Sequence, residues 1–314
     1  MMLARVADSL YWIGRYVERA EHISRLSDVM LTATLDQNDA AVAVGQVALA
    51  SIGGDDDDIE SVAYDAVHSL VFERDNQGSV VTSLARAREN ARQVRDQITT
   101  EMWERLNLLY LRVTDPRAED AFNNHSSAFL NEVIADLHLF KGAADATMSH
   151  GEGWRFLLLG VYLERAQLIA RLLEVCFGDR AAAKPLTDYR TQMSVLRMAC
   201  ALEPYLRIYT AEIQPQRMLE FLLFDEDFPR SIRFSTERIE EHLTSLARRD
   251  QYYEGAEPDR LAARLSARLK FADMDDETLG AGPLLAAVVS ECSRIHHAIY
   301  ETFVAYPLEE RLPA

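Results

Sequence analysis

Two acid and base clusters recur at a fixed interval in this chain, and their residue types are the ones from which chemistry could be built. Glu18-Arg19 and Glu164-Arg165 stand 164 − 18 = 146 positions apart, and each arginine is followed six residues on by another, Arg25 or Arg171. A carboxylate acts as a general acid or base when it lies beside a substrate and its pKa is tuned, so Glu18 and Glu164 are the catalytic candidates. Guanidinium groups present planar arrays of donors that match carboxylates and phosphates. Arg15, Arg19, Arg25, Arg155, Arg165, Arg171 and Arg230 are therefore candidates for holding an anion, or for an ion-pair lattice that sets helix register. The lattice is the commoner use of such residues. A metal reading would draw on Glu18, Glu21 and His22 with His138, His296 and His297. The second copy has Leu168 where the first has His22, and no Glu-x-x-His pair repeats, so no metal site is assigned. HExxH, Walker A, dinucleotide-binding glycine patterns and Ser/His nucleophile motifs are absent.

The clusters are carried by two stretches that align without a gap, LYWIGRYVERAEHISRLSDV from Leu10 and FLLLGVYLERAQLIARLLEV from Phe156. They share Gly14/Gly160, Tyr16/Tyr162, the Glu-Arg-Ala triplet, Ile23/Ile169, Arg25/Arg171, Leu26/Leu172 and Val29/Val175, which makes an internal repeat. Apolar residues return every three or four positions, the period of a helix with one buried face. Glu18 and Arg25 then lie two turns apart on one side, as do Glu164 and Arg171, with Arg19 and Arg165 about 100 degrees away. Gly14 and Gly160 precede each glutamate by one turn. A missing side chain there lets another helix approach, despite a propensity cost of about 1 kcal/mol. The expected geometry brings the copies together around a pseudo-twofold axis, with Glu18/Arg165 and Glu164/Arg19 as cross-pairs, because buried charge demands a partner.

The rest of the chain reads as helix, and no alternating strand pattern competes. Helices are expected over Leu3 to Leu35, Val62 to Phe72, Thr100 to Val113, Asn124 to Met148, Tyr189 to Ala211, Gln216 to Phe224, Ile232 to Ala247, Leu261 to Phe271 and Leu285 to Phe303. Ser79 is the expected cap of the helix after Gly78, and Asp227 the expected acceptor before Ile232. Pro204 should kink or divide its helix. Asp55 to Asp58 reads as a solvated turn, and Asp273 to Pro283 as a loop. Two helical repeats, residues 1–149 and 150–314, are expected to pack as one globular all-α, multi-helix bundle. Tyr11, Trp12, Trp103, Tyr110 and Trp154 are assigned to its core.

Composition narrows the partners. A formal charge of -17 opposes binding to nucleic acid or anionic lipid. No stretch is long and apolar enough to span a membrane, and the N-terminus lacks a signal-peptide core. Three scattered cysteines in apolar helical contexts suit buried thiols in the cytoplasm.

In combination, LYWIGRYVERAE, ARENARQVRDQI, EMWERLNLLY, GEGWRFLLLGVYLERA and FLLFDEDFPRSIRF resemble the bacterial alpha-E family, a helical domain named for its Glu-Arg (ER) motif. The resemblance covers nearly the whole chain, and the motif matches Glu18-Arg19 and Glu164-Arg165. It implies association with circularly permuted ATP-grasp proteins, often beside transglutaminase-like proteins and sometimes a proteasome-like peptidase, hence peptide or amide-bond chemistry. ATP and Mg are then expected on the ATP-grasp partner, with no cofactor in this chain. The chain itself would be an accessory subunit that positions a peptide or amino-acid substrate. A stand-alone helical enzyme using the Glu/Arg clusters on an amino-acid-like substrate, and a purely structural interaction module, are the alternatives.

Overall fold

A computed structural model describes residues 2–35, 39–53, 63–178, 186, 188–210, 212–249, 256–272 and 281–305. Among these the chain forms α-helices and no strand. In order they are α1 (Ala4–Leu35), α2 (Asp39–Ser51), α3 (Ala63–Phe72), α4 (Val80–Gln93), α5 (Thr100–Val113), α6 (Ala118–Asn124), α7 (Ser126–Thr147), α8 (Glu152–Phe177), α9 (Tyr189–Met198), α10 (Leu202–Tyr209), α11 (Pro215–Phe224), α12 (Ile232–Arg249), α13 (Glu257–Lys270) and α14 (Ala281–Phe303). None of the described helices is long and apolar enough to cross a membrane.

Both repeated stretches become central helices. In α1 the positions Leu10, Ile13, Val17, Ala20, Leu26 and Met30 are buried, and so are Ser24, Ser27, Glu18 and Glu21 on other sides. A helix covered almost all round must sit inside the bundle rather than on it. Its neighbours are α2, α3, α4, α7, α9 and α14 besides α8, whereas α8 is covered by α2, α11, α12 and α14. Helix α5 bridges α4 and α7, and α13 bridges α12 and α14.

Several boundaries differ from the sequence expectation for local reasons. The expected helix over Asn124 to Met148 begins only after His125, whose non-helical backbone (φ -147°, ψ 63°) separates α6 from α7. That corner lets Phe122 and Phe129 both meet the Phe72 ring, at 5.3 and 5.7 Å between centroids. The helix expected over Tyr189 to Ala211 divides at Ala199 to Ala201, where Cys200 takes φ 55°. Pro204 falls in the first turn of α10, where its missing N–H forfeits no helical bond. Helix α12 is capped by Ser231, whose Oγ accepts from Phe234 N at 3.0 Å, and not by Asp227, which lies too far upstream. Ser79 does the same for α4, accepting from Thr82 N at 3.2 Å. Ala281 to Pro283 belong to the first turn of α14 rather than to a loop. Asp55 to Asp58 and Asp273 to Glu277 lie outside the described residues. Cys176 and Cys292 are buried, which pushes their thiols up to about 12, while Cys200 is partly exposed.

Candidate functional site

The glycines of the repeat set how closely the central helices meet. A Cβ added to Gly14 would fall far inside van der Waals contact distance of the Leu157 carbonyl oxygen and 3.0 Å from Val161 N. One added to Gly160 would strike the Tyr11 carbonyl oxygen in the same way, 3.0 Å from Arg15 N. The backbones of α1 and α8 are therefore in direct contact at both positions. One turn further on, Glu18 and Glu164 lie on these same faces and reach across to the opposite helix.

Glu164 is almost wholly buried and takes both of its arginine partners from α1. Arg15 donates from Nε to Oε2 at 2.5 Å, and Arg19 from Nε to Oε1 at 2.6 Å. Arg15 spends its other nitrogens on Gln167 Oε1, 2.8 Å, and on the Tyr11 hydroxyl, 3.2 Å. Tyr11 in turn lies 2.8 Å from His296 Nδ1 of α14. Burial raises the Glu164 carboxyl by itself; Arg15 and Arg19 outweigh it and hold the group below the usual carboxylate range.

Glu18 stands beside a second carboxylate, Glu21, and both are 0% exposed. Arg165 clasps Glu18 with two parallel bonds, Nε to Oε1 at 2.7 Å and Nη2 to Oε2 at 2.9 Å, and gives Nη1 to the Pro229 carbonyl at 3.0 Å. Lys141 of α7 bridges the pair, donating to Glu18 Oε2 and, at 2.5 Å, to Glu21 Oε2. Arg230, just ahead of α12, donates to Glu21 Oε1 and lies 3.4 Å from Glu18 Oε1. Arg25 Nε and His138 Nε2 also lie at Glu21 Oε1, at 3.0 and 3.1 Å. Desolvation pushes both acids up, but Arg165, Lys141 and Arg230 at Glu18, and Lys141, Arg230, His138 and Arg25 at Glu21, hold both well below the usual carboxylate range.

Most of the sequence-derived residues meet here, and two do not. Arg171 is exposed on α8 and has no ion pair among the described residues. The reason is a difference between the copies: Arg25 has Glu21 four residues before it, whereas Arg171 has Gln167. Arg155 lies away from the network, near His242 of α12. Sequence reasoning missed Lys141, and gave Glu21 a metal-binding part instead of its place as the second buried acid. The signal for Glu21 was the asymmetry itself, Glu21 and Arg15 in one copy against Gln167 and Val161 in the other. Nothing in the repeat points to Lys141. Among the described residues no group of three or more His, Cys, Asp or Glu is placed to hold a metal ion. His22 is buried with Nε2 unpartnered, His296 binds Tyr11, and His297 is exposed beside Glu301.

This burial has a pH signature. Desolvation, reinforced by nearby arginines, lowers His22, His242 and His296 from 6.5 to about 4. The unfolded chain takes up these protons first, so the stability they contribute is full above pH 6.5 and is lost as pH falls toward 4. The depressed glutamates act in a lower window. Their contribution is present above 4.5 and disappears as pH drops through their folded values. Urea midpoints followed by circular dichroism are expected to fall in these two stages. His22→Leu, which installs the residue of the second copy, should shrink the first stage and spare the second; an unchanged profile would refute the assignment.

Comparison with known proteins agrees in extent with this architecture. Uncharacterized proteins of Mycobacterium bovis and Mycobacterium tuberculosis are 26% identical over 321 residues, covering 94% of this chain. The chain spans 35% of the length of these relatives. No solved structure matches. The model of the Alpha-E family, described as "a predicted alpha-helical domain with a conserved ER motif", matches residues 2–304, which is nearly all of the helical bundle. On that match, the chain belongs to the Alpha-E family.

Proposed function

We propose that this chain is a non-catalytic partner of a circularly permuted ATP-grasp ligase, positioning a peptide or amino-acid carboxylate for amide-bond formation or modification. The observation that carries the reading is the state of Glu18 and Glu164. Each is buried, saturated by cations and held ionised far below neutral pH, so neither can shuttle a proton at a substrate. Chemistry must then come from elsewhere. The relatives fit a module working beside other protein, since nearly two thirds of their length lies outside the matched part. The charge count favours a carboxylate ligand. Three acids, Glu18, Glu21 and Glu164, meet six cations, Arg15, Arg19, Arg25, Lys141, Arg165 and Arg230, within a chain of net charge -17. Arg19, Arg25 and Lys141 form the outer rim, each between 21 and 24% exposed. ATP and Mg would belong to the ligase, and a transglutaminase-like protein is a further partner. The proposal sets the complex in the cytoplasm, where free thiols persist.

The proposal also treats the two halves as divergent copies about a pseudo-twofold axis, folded as one unit. Reciprocal glycine contacts, matching Ser79 and Ser231 caps and the like surroundings of α1 and α8 support this. Helix α2 of the first half also rests on α8, and α9 of the second on α1.

The test is co-purification with the ATP-grasp partner, followed by ATP turnover in the presence of candidate amino acids. Turnover is expected only when both proteins are present. Failure to associate at micromolar concentration, with activity retained by this chain alone, would overturn the reading in favour of a stand-alone enzyme. Arg19→Gln separates positioning from scaffolding: an intact fold with lost turnover supports positioning, and simple unfolding assigns Arg19 to the lattice.

A further inference from the structure

Of the buried polar atoms that lack a hydrogen-bond partner among the described residues, three belong to one patch of α8 and α12: Arg155 Nε, Arg238 Nε and His242 Nε2. Arg155 Nη1 lies 3.5 Å from His242 Nδ1, and Arg238 sits one helical turn before His242 on α12. A guanidinium cannot accept, so Nδ1 is the acceptor in that contact and the neutral imidazole carries its proton on Nε2. All three orphan atoms are then donors. What the patch lacks is an acceptor. Among the described residues the carboxylate beside it, Glu241, is exposed and takes only Arg238 Nη1, and Arg155 has no ion pair.

Aromatic rings wall the patch. Tyr162 stacks on His242 at 5.9 Å, Trp154 meets the same imidazole edge-on at 5.4 Å, and Phe234 lies under Arg238 at 5.1 Å. Around His242, itself 3% exposed, Trp154, Arg155, Tyr162 and Arg238 are each partly open to solvent. The Arg238 side chain is 41% exposed. Two of the three groups are confined to one copy, while Arg238 has a counterpart in Arg86. By the offset of the repeated helix, 146, the first copy has Ser9 in place of Arg155, and with the caps Ser79 and Ser231 aligned, 231 − 79 = 152, it has Asn90 in place of His242. A lattice that only held the duplicated fold together would not require the difference.

We infer that Arg155, Arg238 and His242, between Trp154 and Tyr162, form a binding site for a small oxyanion, a carboxylate or a phosphate group. Paired cationic and neutral donors in a partly desolvated, aromatic-walled patch suit such a group, which would supply the missing acceptor and offset the Arg155 charge. The site borders the Glu18 and Glu164 network, since Arg165 lies over the Tyr162 ring at 5.3 Å, but it does not depend on the ligase reading, since an anion can bind with or without a protein partner.

Inorganic phosphate and acetate, titrated separately into the full chain by calorimetry and by NMR of labelled histidine side chains, test the inference. At least one of them is expected to give saturable heat with a matching shift of the His242 resonance, and the one that does names the class. Arg155→Ser and His242→Asn, which install the first copy's residues, should each weaken binding about tenfold or more while leaving helix content unchanged. Should Arg155→Ser not fold, His242→Asn and Arg238→Gln carry the comparison. Absence of saturation with both anions, or equal affinity in folded variants, would overturn the site.

Discussion

Glu18→Gln is expected to destabilise the fold by about 3–5 kcal/mol, the usual cost of removing one side of a buried ionic cluster. The glutamate is 0% exposed and receives Arg165 through two bonds and Lys141 through a third, with Arg230 3.4 Å away. Glutamine keeps the shape but offers one acceptor oxygen, and turns an NH2 toward groups that are themselves donors. Three cations would remain around it, Arg165 and Arg230 in the interior and Lys141 at the rim, with Glu21 as the neighbouring acid. Urea unfolding at pH 7 measures the loss. Arg171→Gln is the control from the other copy: exposed and unpaired among the described residues, it should change stability by no more than about 0.5 kcal/mol. If Glu18→Gln cost no more than that control, the network would not be holding the helices. Replacing Glu18 and Arg165 together by leucine should recover part of the loss, because a buried pair removed from both sides leaves fewer stranded charges.

Gly160→Ala should be at least as damaging, although alanine is the better helix former by about 1 kcal/mol. The new methyl would meet the Tyr11 carbonyl oxygen and Arg15 N, which are main-chain atoms of a packed central helix and cannot rotate aside. Either α1 and α8 separate, or the helices bend. Overpacking typically costs about 1–3 kcal/mol where side chains can adjust, and a backbone clash belongs at or above the top of that range. Separation would also lengthen the Arg15 and Arg19 bonds to Glu164, one turn away. Gly142→Ala on α7 supplies the opposite sign. Its added Cβ meets nothing within 4 Å, so the substitution should stabilise by roughly the propensity difference of about 1 kcal/mol. Thermal melts of the two variants, run together, decide the matter. Equal shifts would show that the close crossing does not constrain the fold.

What the amino-acid sequence determined by itself was local, apart from the cross-pairs Glu18/Arg165 and Glu164/Arg19, which the repeat led one to expect and the structure forms. The period of apolar residues marked the helices, Ser79 announced a cap, and Gly14 and Gly160 beside repeated charges marked two special helix faces, because i to i+4 neighbours share a face in any helix. Where those faces go is a different question. Lys141 and Arg230 are 123 and 212 residues from Glu18 along the chain, so no spacing rule connects them to it. Arg25 and Arg171 hold equivalent places in the repeat, yet Arg25 binds Glu21 and Arg171 faces water. Only tertiary structure decided this, since the partners of a charge depend on which distant helices converge on it, and on whether burial makes an unpaired charge too costly to keep.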